Sequence, residues 1–149
     1  MKLLRELSEA AGVPGREENI RQIIQRELKG CVDEMSVDAM GNLIAHKKGT
    51  AQKRQRIMFA AHMDEIGFYV SFVDDRGFLR LQEVGGFDTR NLFARRVIVH
   101  TAKGPLRGVL NATGKPFHTS SPDERRQYKE VSEFFVDLGL PGKEVAKRV

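Results

Sequence analysis

"RIMFAAHM", Arg56 to Met63, is apolar at successive positions and so on both faces of a strand. A strand of that kind belongs in the middle of a sheet covered on both sides. It therefore limits the folds open to this chain: some other part, either the β-rich portion folding back or a further segment, must lie against that strand. The run then continues as "DEIGFYV", so His62, Asp64 and Glu65 are set into an otherwise apolar stretch. Buried charge without a partner is costly and is normally paired or bound to metal. The same stretch thus constrains both the fold and the chemistry.

Helices are available before it. Leu3, Leu4, Leu7 and Ala11 follow helical spacing, and Gly12 with Pro14-Gly15 stops that helix. Glu17 and Glu18 open a second, with Ile20, Ile23, Ile24 and Leu28 as its predicted buried stripe and Gly30 at its end. A hairpin follows: "VDEMSV", the turn "DAMGN" with Gly41 or Asn42 suited to positive φ, then "LIAH". The character changes near Val70. "YVSFV", "FLRLQEV", "RRVIVHT" and "LRGVL" are short strands broken by turns with glycine, as in a small barrel or sandwich. Ser121 caps a polar helix with Pro122 at its first position. "FFVDLGL" is a further strand, and "PGKEVAKRV" begins a last helix. The reading is an α/β portion over residues 1–70 and a β-rich portion over 71–149. The first has too little material to cover both faces of "RIMFAAHM".

Composition excludes several classes. Hydrophobic residues make up 40% of the 149, enough for a core. No segment reaches the roughly 18 consecutive apolar residues of a membrane span, so no membrane partner is expected. Cys31 is the only cysteine and has no internal disulfide partner, which points to a reducing cytoplasm. Net charge is +5, but much of the excess lies in "HKKGTAQKRQR", His46 to Arg56. No aromatic residue interleaves there to stack on bases, so that segment reads as a solvated loop and no nucleic acid is expected.

The chemistry centres on His62. Side chains two apart on a strand point the same way, so His62 and Asp64 share a face near the strand end. A carboxylate beside an imidazole fixes its tautomer and raises its basicity, as around metal-binding histidines. The same pair also describes a plain hydrogen bond at a strand end. A catalytic zinc needs three protein ligands, and His46, His100 and Cys31 read as surface or structural residues. His118, in the loop "GKPFHTS", is the other site candidate.

"VDAMGNLIAHKKG", "AAHMDEIGF", "GFLRLQEVGGFDTR" and "RRVIVHTAKGPLRGV", in this order, resemble metallopeptidase family forty-two. These are the glutamyl, deblocking and tetrahedral aminopeptidases, some once labelled endoglucanases. The resemblance extends over essentially all of the chain. It implies the N-terminal part of a phosphorylase/hydrolase-like α/β sandwich catalytic domain, followed by a small inserted β-barrel dimerisation domain. It also implies two divalent metal ions, zinc or cobalt, and removal of N-terminal residues from peptides through a metal-activated water. His62 matches a metal ligand of the family and Asp64 the carboxylate that orients it. The other ligands and the general-base glutamate lie downstream of the barrel in the family, past "EVAKRV". The expectation is an N-terminal portion that binds at most one metal, weakly, and is inactive by itself. Homo-oligomers built through the barrel are implied as well, with a non-catalytic assembly module as the rival reading. One departure is "NATGKPFH", where the family more often has two prolines before the histidine.

Overall fold

The computed structural model describes residues 1–53 and 55–149, with only the backbone of Phe117. Arg54, part of the basic segment, lies outside the described residues. The chain divides into two compact units, Met1–Ile66 and Gly67–Val149.

The first unit holds α1 (Lys2–Glu9), α2 (Glu18–Leu28) and an antiparallel hairpin of β1 (Glu34–Val37) and β2 (Leu43–His46). Asp38 organises the hairpin turn. Its carboxylate accepts from the Met40 and Asn42 backbone N–H groups, both at 2.9 Å, and from the Asn42 amide at 2.8 Å. Gly41 supplies the positive φ of 86° that closes the turn. Arg21 of α2 then donates to the Gly41 carbonyl at 2.6 Å and fastens the turn to the helix. Arg26 of α2 forks onto both carboxylate oxygens of Glu6 in α1, at 2.7 and 2.8 Å. Lys47 and Lys48, the first lysines of the basic segment, face Asp33 and Glu34, and the described residues after them are exposed.

The strand predicted over Arg56–Met63 is not formed. Residues 55–66 have no regular structure, and Ile57, Met58 and Phe59 are 76%, 87% and 94% exposed. A strand exists through the neighbour that takes its N–H and C=O groups. Among the described residues of this unit, β1 and β2 pair only with each other. The predicted stripe of α2 is correspondingly thin. Ile20 is buried, Ile23, Ile24 and Leu28 are half-buried, and α1 buries nothing.

The second unit is a five-stranded antiparallel sheet of β3 (Gly67–Val73), β4 (Leu79–Val84), β5 (Arg95–Thr101), β6 (Gly104–Ala112) and β7 (Phe134–Asp137). Their order is β3-β4-β7-β6-β5, so β7 enters between two earlier strands. Register puts Leu79, Val136 and Leu110 in one row and Arg80, Phe135 and Asn111 in the next. The first row is buried and joins Phe134, Leu92 and Val145 in the core. Gly108 makes room for it, since a Cβ there would lie 2.5 Å from Val136 Cγ1. A closed barrel would join the outer strands; among the described residues no ladder links β3 to β5.

Asp74 builds the β3–β4 turn. Its carboxylate accepts from the Phe78 N–H at 2.9 Å, the Arg76 N–H at 3.1 Å and the Arg80 guanidinium at 2.9 Å. Burial pushes that carboxyl up, but the Phe78, Arg80 and Arg76 donors outweigh it and hold it below the usual range. This turn packs on the start of α4 (Gly142–Arg148), whose Val145 is fully buried.

The predicted cap of α3 (Pro122–Arg126) is present. Ser121 Oγ accepts from the Glu124 N–H at 3.2 Å, while the Ser121 N–H donates to the Glu124 carboxylate at 2.8 Å. Lys115 adds a 2.7 Å bond to Glu124, and these donors, Lys115 first, hold its carboxyl down at about 2. An unfolded glutamate titrates at about 4.3. A depressed carboxyl stabilises the folded form above the unfolded value and loses that contribution as pH falls toward the folded one. The Ser121, Glu124 and Arg125 amides should therefore lose protection between about pH 4.3 and pH 2. Hydrogen exchange in Glu124→Gln should show a much flatter pH response over that window.

Candidate metal-ligand site at His62 and Asp64

His62 to Glu65 lie in the irregular segment that closes the first unit. What fixes the segment is backbone: the Glu65 N–H donates to the Gly12 carbonyl at 2.8 Å. Gly12 sits in the turn between α1 and α2 and is buried. Ile20 presses on it from α2, and Met63 follows on the segment's own side. The site is thus carried by the α1–α2 turn and not by a strand rim.

His62 and Asp64 are brought together. The His62 ring is 84% exposed, with Nδ1 2.9 Å from the Asp64 backbone carbonyl and 3.4 Å from its carboxylate. The shorter contact is with the carbonyl. A carbonyl only accepts, so the neutral ring is assigned its proton on Nδ1, which leaves the Nε2 lone pair for a ligand. Glu65 is exposed.

The other soft residues lie on other elements or turns. His46 ends β2 opposite Glu34, and His100 lies on β5 opposite Pro105, both exposed. His118 is exposed in a single turn of 3₁₀ helix, Phe117–Thr119. Cys31 is exposed with Sγ 3.8 Å from the Glu27 carbonyl. Among the described residues, no three His, Cys, Asp or Glu side chains form a group that could hold a metal ion. Sequence reasoning put the pair on one face of a strand, whereas the two residues meet in an irregular segment. It took Gly12 only as a helix stop, because a backbone hydrogen bond leaves no residue signature.

The sequence pattern of the M42 glutamyl aminopeptidases matches residues 41–149. The chain belongs to that family. A putative aminopeptidase of Acetivibrio thermocellus is 39% identical over 147 residues, which is 99% of this chain and 41% of the relative. The crystal structure of a TET aminopeptidase from a marine sediment thaumarchaeote superposes with a TM-score of 0.87 at 35% identity, covering 99% of this chain and 40% of that one. The TET1 peptidase of Pyrococcus horikoshii, described as assembling into a tetrahedron or a large octahedral shell, gives 0.80 at 38% identity, covering 98% and 42%. This member of the M42 family therefore spans about two fifths of the length of the relatives it matches. Its mixed α/β structure is that of the TET aminopeptidases over the aligned part. Among the described residues, no helix is long and apolar enough to cross a membrane.

Proposed function

We propose that this chain supplies one corner of a two-metal aminopeptidase centre. His62 is the metal ligand through Nε2, and Asp64 holds the ring through its backbone carbonyl with its carboxylate close by. The observation that carries this reading is the 2.9 Å contact between Nδ1 and the Asp64 carbonyl, in a ring that is 84% exposed. A ring tied down at one nitrogen and open at the other is what a metal-ligating histidine requires. The donor set fits one ligand of a divalent ion such as zinc or cobalt, and a catalytic zinc takes three protein ligands. The remaining ligands and the general base then come from residues other than these 149. When bound, the metal supplies Lewis-acid chemistry, polarising a peptide carbonyl and acidifying water. The Gly67–Val149 unit corresponds in this reading to the inserted barrel domain through which subunits pair, in a cytoplasmic homo-oligomer acting on peptides.

Two measurements test the proposal. The 149-residue chain should release no detectable nitroaniline from lysyl-, leucyl- or glutamyl-p-nitroanilide with added zinc or cobalt. Turnover that survives purification and vanishes in His62→Ala would show the centre to be complete without further residues. Cobalt titrated into the chain should broaden the His62 ring signals first. Broadening confined to His46, His100 or His118 would remove His62 as the ligand.

A second reading is a non-catalytic assembly module. It is favoured by the exposed run Ile57, Met58 and Phe59, since apolar patches of this kind seek cover. Sedimentation tests this second reading, because a clean monomer at high concentration speaks against assembly.

A further inference from the structure

We infer that the α1–α2 turn is a positioning element for the His62 corner, and that Gly12 is glycine because that role requires it. The inference rests on the reading of His62 as a ligand, but its mechanics are independent of any metal.

His62, Met63, Asp64 and Glu65 have no strand to hold them. A ligand on an irregular segment must still be held closely in place, since sites depend on the shell behind them. Among the described residues, the Glu65 N–H to Gly12 carbonyl bond at 2.8 Å is a backbone tie between this segment and the α1–α2 turn. It lies one residue from Asp64, whose carbonyl holds the imidazole. The chain of contacts therefore runs from the Gly12 carbonyl to the Glu65 amide, through the Asp64 peptide, to His62 Nδ1.

The far side of Gly12 is what keeps that carbonyl in place. A Cβ on Gly12 would lie 2.7 Å from Ile20 Cδ1, 2.8 Å from Ile20 Cγ1 and 3.7 Å from the Met63 carbonyl. Ile20 is the buried residue of α2, and a β-branched side chain in a helix has essentially one χ1 setting. Its Cγ1 therefore does not swing aside. The turn itself is stiff: the Arg16 N–H donates to the Val13 carbonyl at 2.9 Å and the Gly15 N–H to the Glu17 carboxylate at 2.6 Å. An added methyl must push the turn off α2 and carry the Gly12 carbonyl away from Glu65. Glycine is needed here for close approach and not for positive φ.

The test is amide exchange and long-range proton–nitrogen correlation of the histidine rings, on the metal-free 149-residue chain. Gly12→Ala should speed exchange of the Glu65 amide at least tenfold and move the His62 ring away from the Nδ1–H form. Amides of α2 and of the β1–β2 hairpin should stay within about twofold. Gly12→Ala/Ile20→Ala removes both crowding atoms and should restore Glu65 protection and the His62 spectrum relative to Gly12→Ala. If Gly12→Ala does not fold, the double variant decides, with a protected Glu65 amide supporting the proposal and an unprotected one beside an intact hairpin overturning it. The proposal also fails if Glu65 and His62 are unmoved in Gly12→Ala, or move only in step with α2 and the hairpin. No metal and no substrate enters these readouts, so they can fail while His62 remains a ligand, and the reverse.

Discussion

Replacing Phe134 by alanine should leave the Gly67–Val149 unit at the edge of unfolding. Phe134 begins β7, has no solvent exposure, and meets Phe93 edge-to-face with ring centroids 5.1 Å apart. Truncating a buried phenylalanine costs about 3–5 kcal/mol, the lost transfer energy plus the cavity left behind. A domain is stable by only about 5–15 kcal/mol in total. The position aggravates the loss, because β7 lies between β4 and β6 and its rows join the two halves of the sheet. Urea denaturation followed by far-ultraviolet circular dichroism should show a midpoint lowered by a large fraction of the parent value. Phe134→Leu keeps more of the volume and should fall between the two. A variant that melts with the parent would mean that Phe134 does not carry this core.

Gly77→Ala should be nearly as damaging, for two separable reasons. Gly77 closes the β3–β4 turn at φ 90°, where a side chain is strained by about 1–3 kcal/mol. A Cβ there would also meet backbone, lying 2.7 Å from the Gly142 Cα and 3.2 Å from its N, with the Val145 side chain 3.3 Å away. Overpacking of this kind adds about 1–3 kcal/mol, and backbone yields less readily than a side-chain tip. Gly104 provides the control. It has φ 109° and nothing within 4 Å of the same position, so Gly104→Ala reports the conformational cost alone. Denaturation of the two variants side by side should place Gly77→Ala clearly below Gly104→Ala. Equal losses would mean that the close approach of α4 to this turn contributes nothing.

Local elements were legible in the sequence where one residue type decides a local geometry. The turn "DAMGN" marked the hairpin, with Gly41 taking the positive φ open to Gly41 or Asn42, and Ser121 with Pro122 marked the start of α3. The strands after Val70 were legible from their turns. Their spatial order was not, because the entry of β7 between β4 and β6 depends on contacts such as Val136 over Gly108, far apart in sequence. The apolar run at Arg56–Met63 misled for a related reason. Hydrophobicity on both faces states a need for cover, and a strand also needs a neighbour to bond with. The candidate site divides in the same way. The sequence pairs His62 with Asp64 as neighbours on a strand face, whereas they meet in an irregular segment. That the imidazole leans on a carbonyl, and that Gly12 holds the next amide, is backbone chemistry that no side-chain pattern spells out.

The two rims of the five-stranded sheet are unequally guarded. β5 carries Arg95 and Arg96, and like charges discourage another copy from zipping on. β3 reads GFYVSFV, with no charge and no proline across seven residues. Such a segment has the makings of a template for cross-β growth. Of the two rims the uncharged one is the readier to adhere when the protein is crowded or partly melted, and it is the strand that immediately follows the His62 corner.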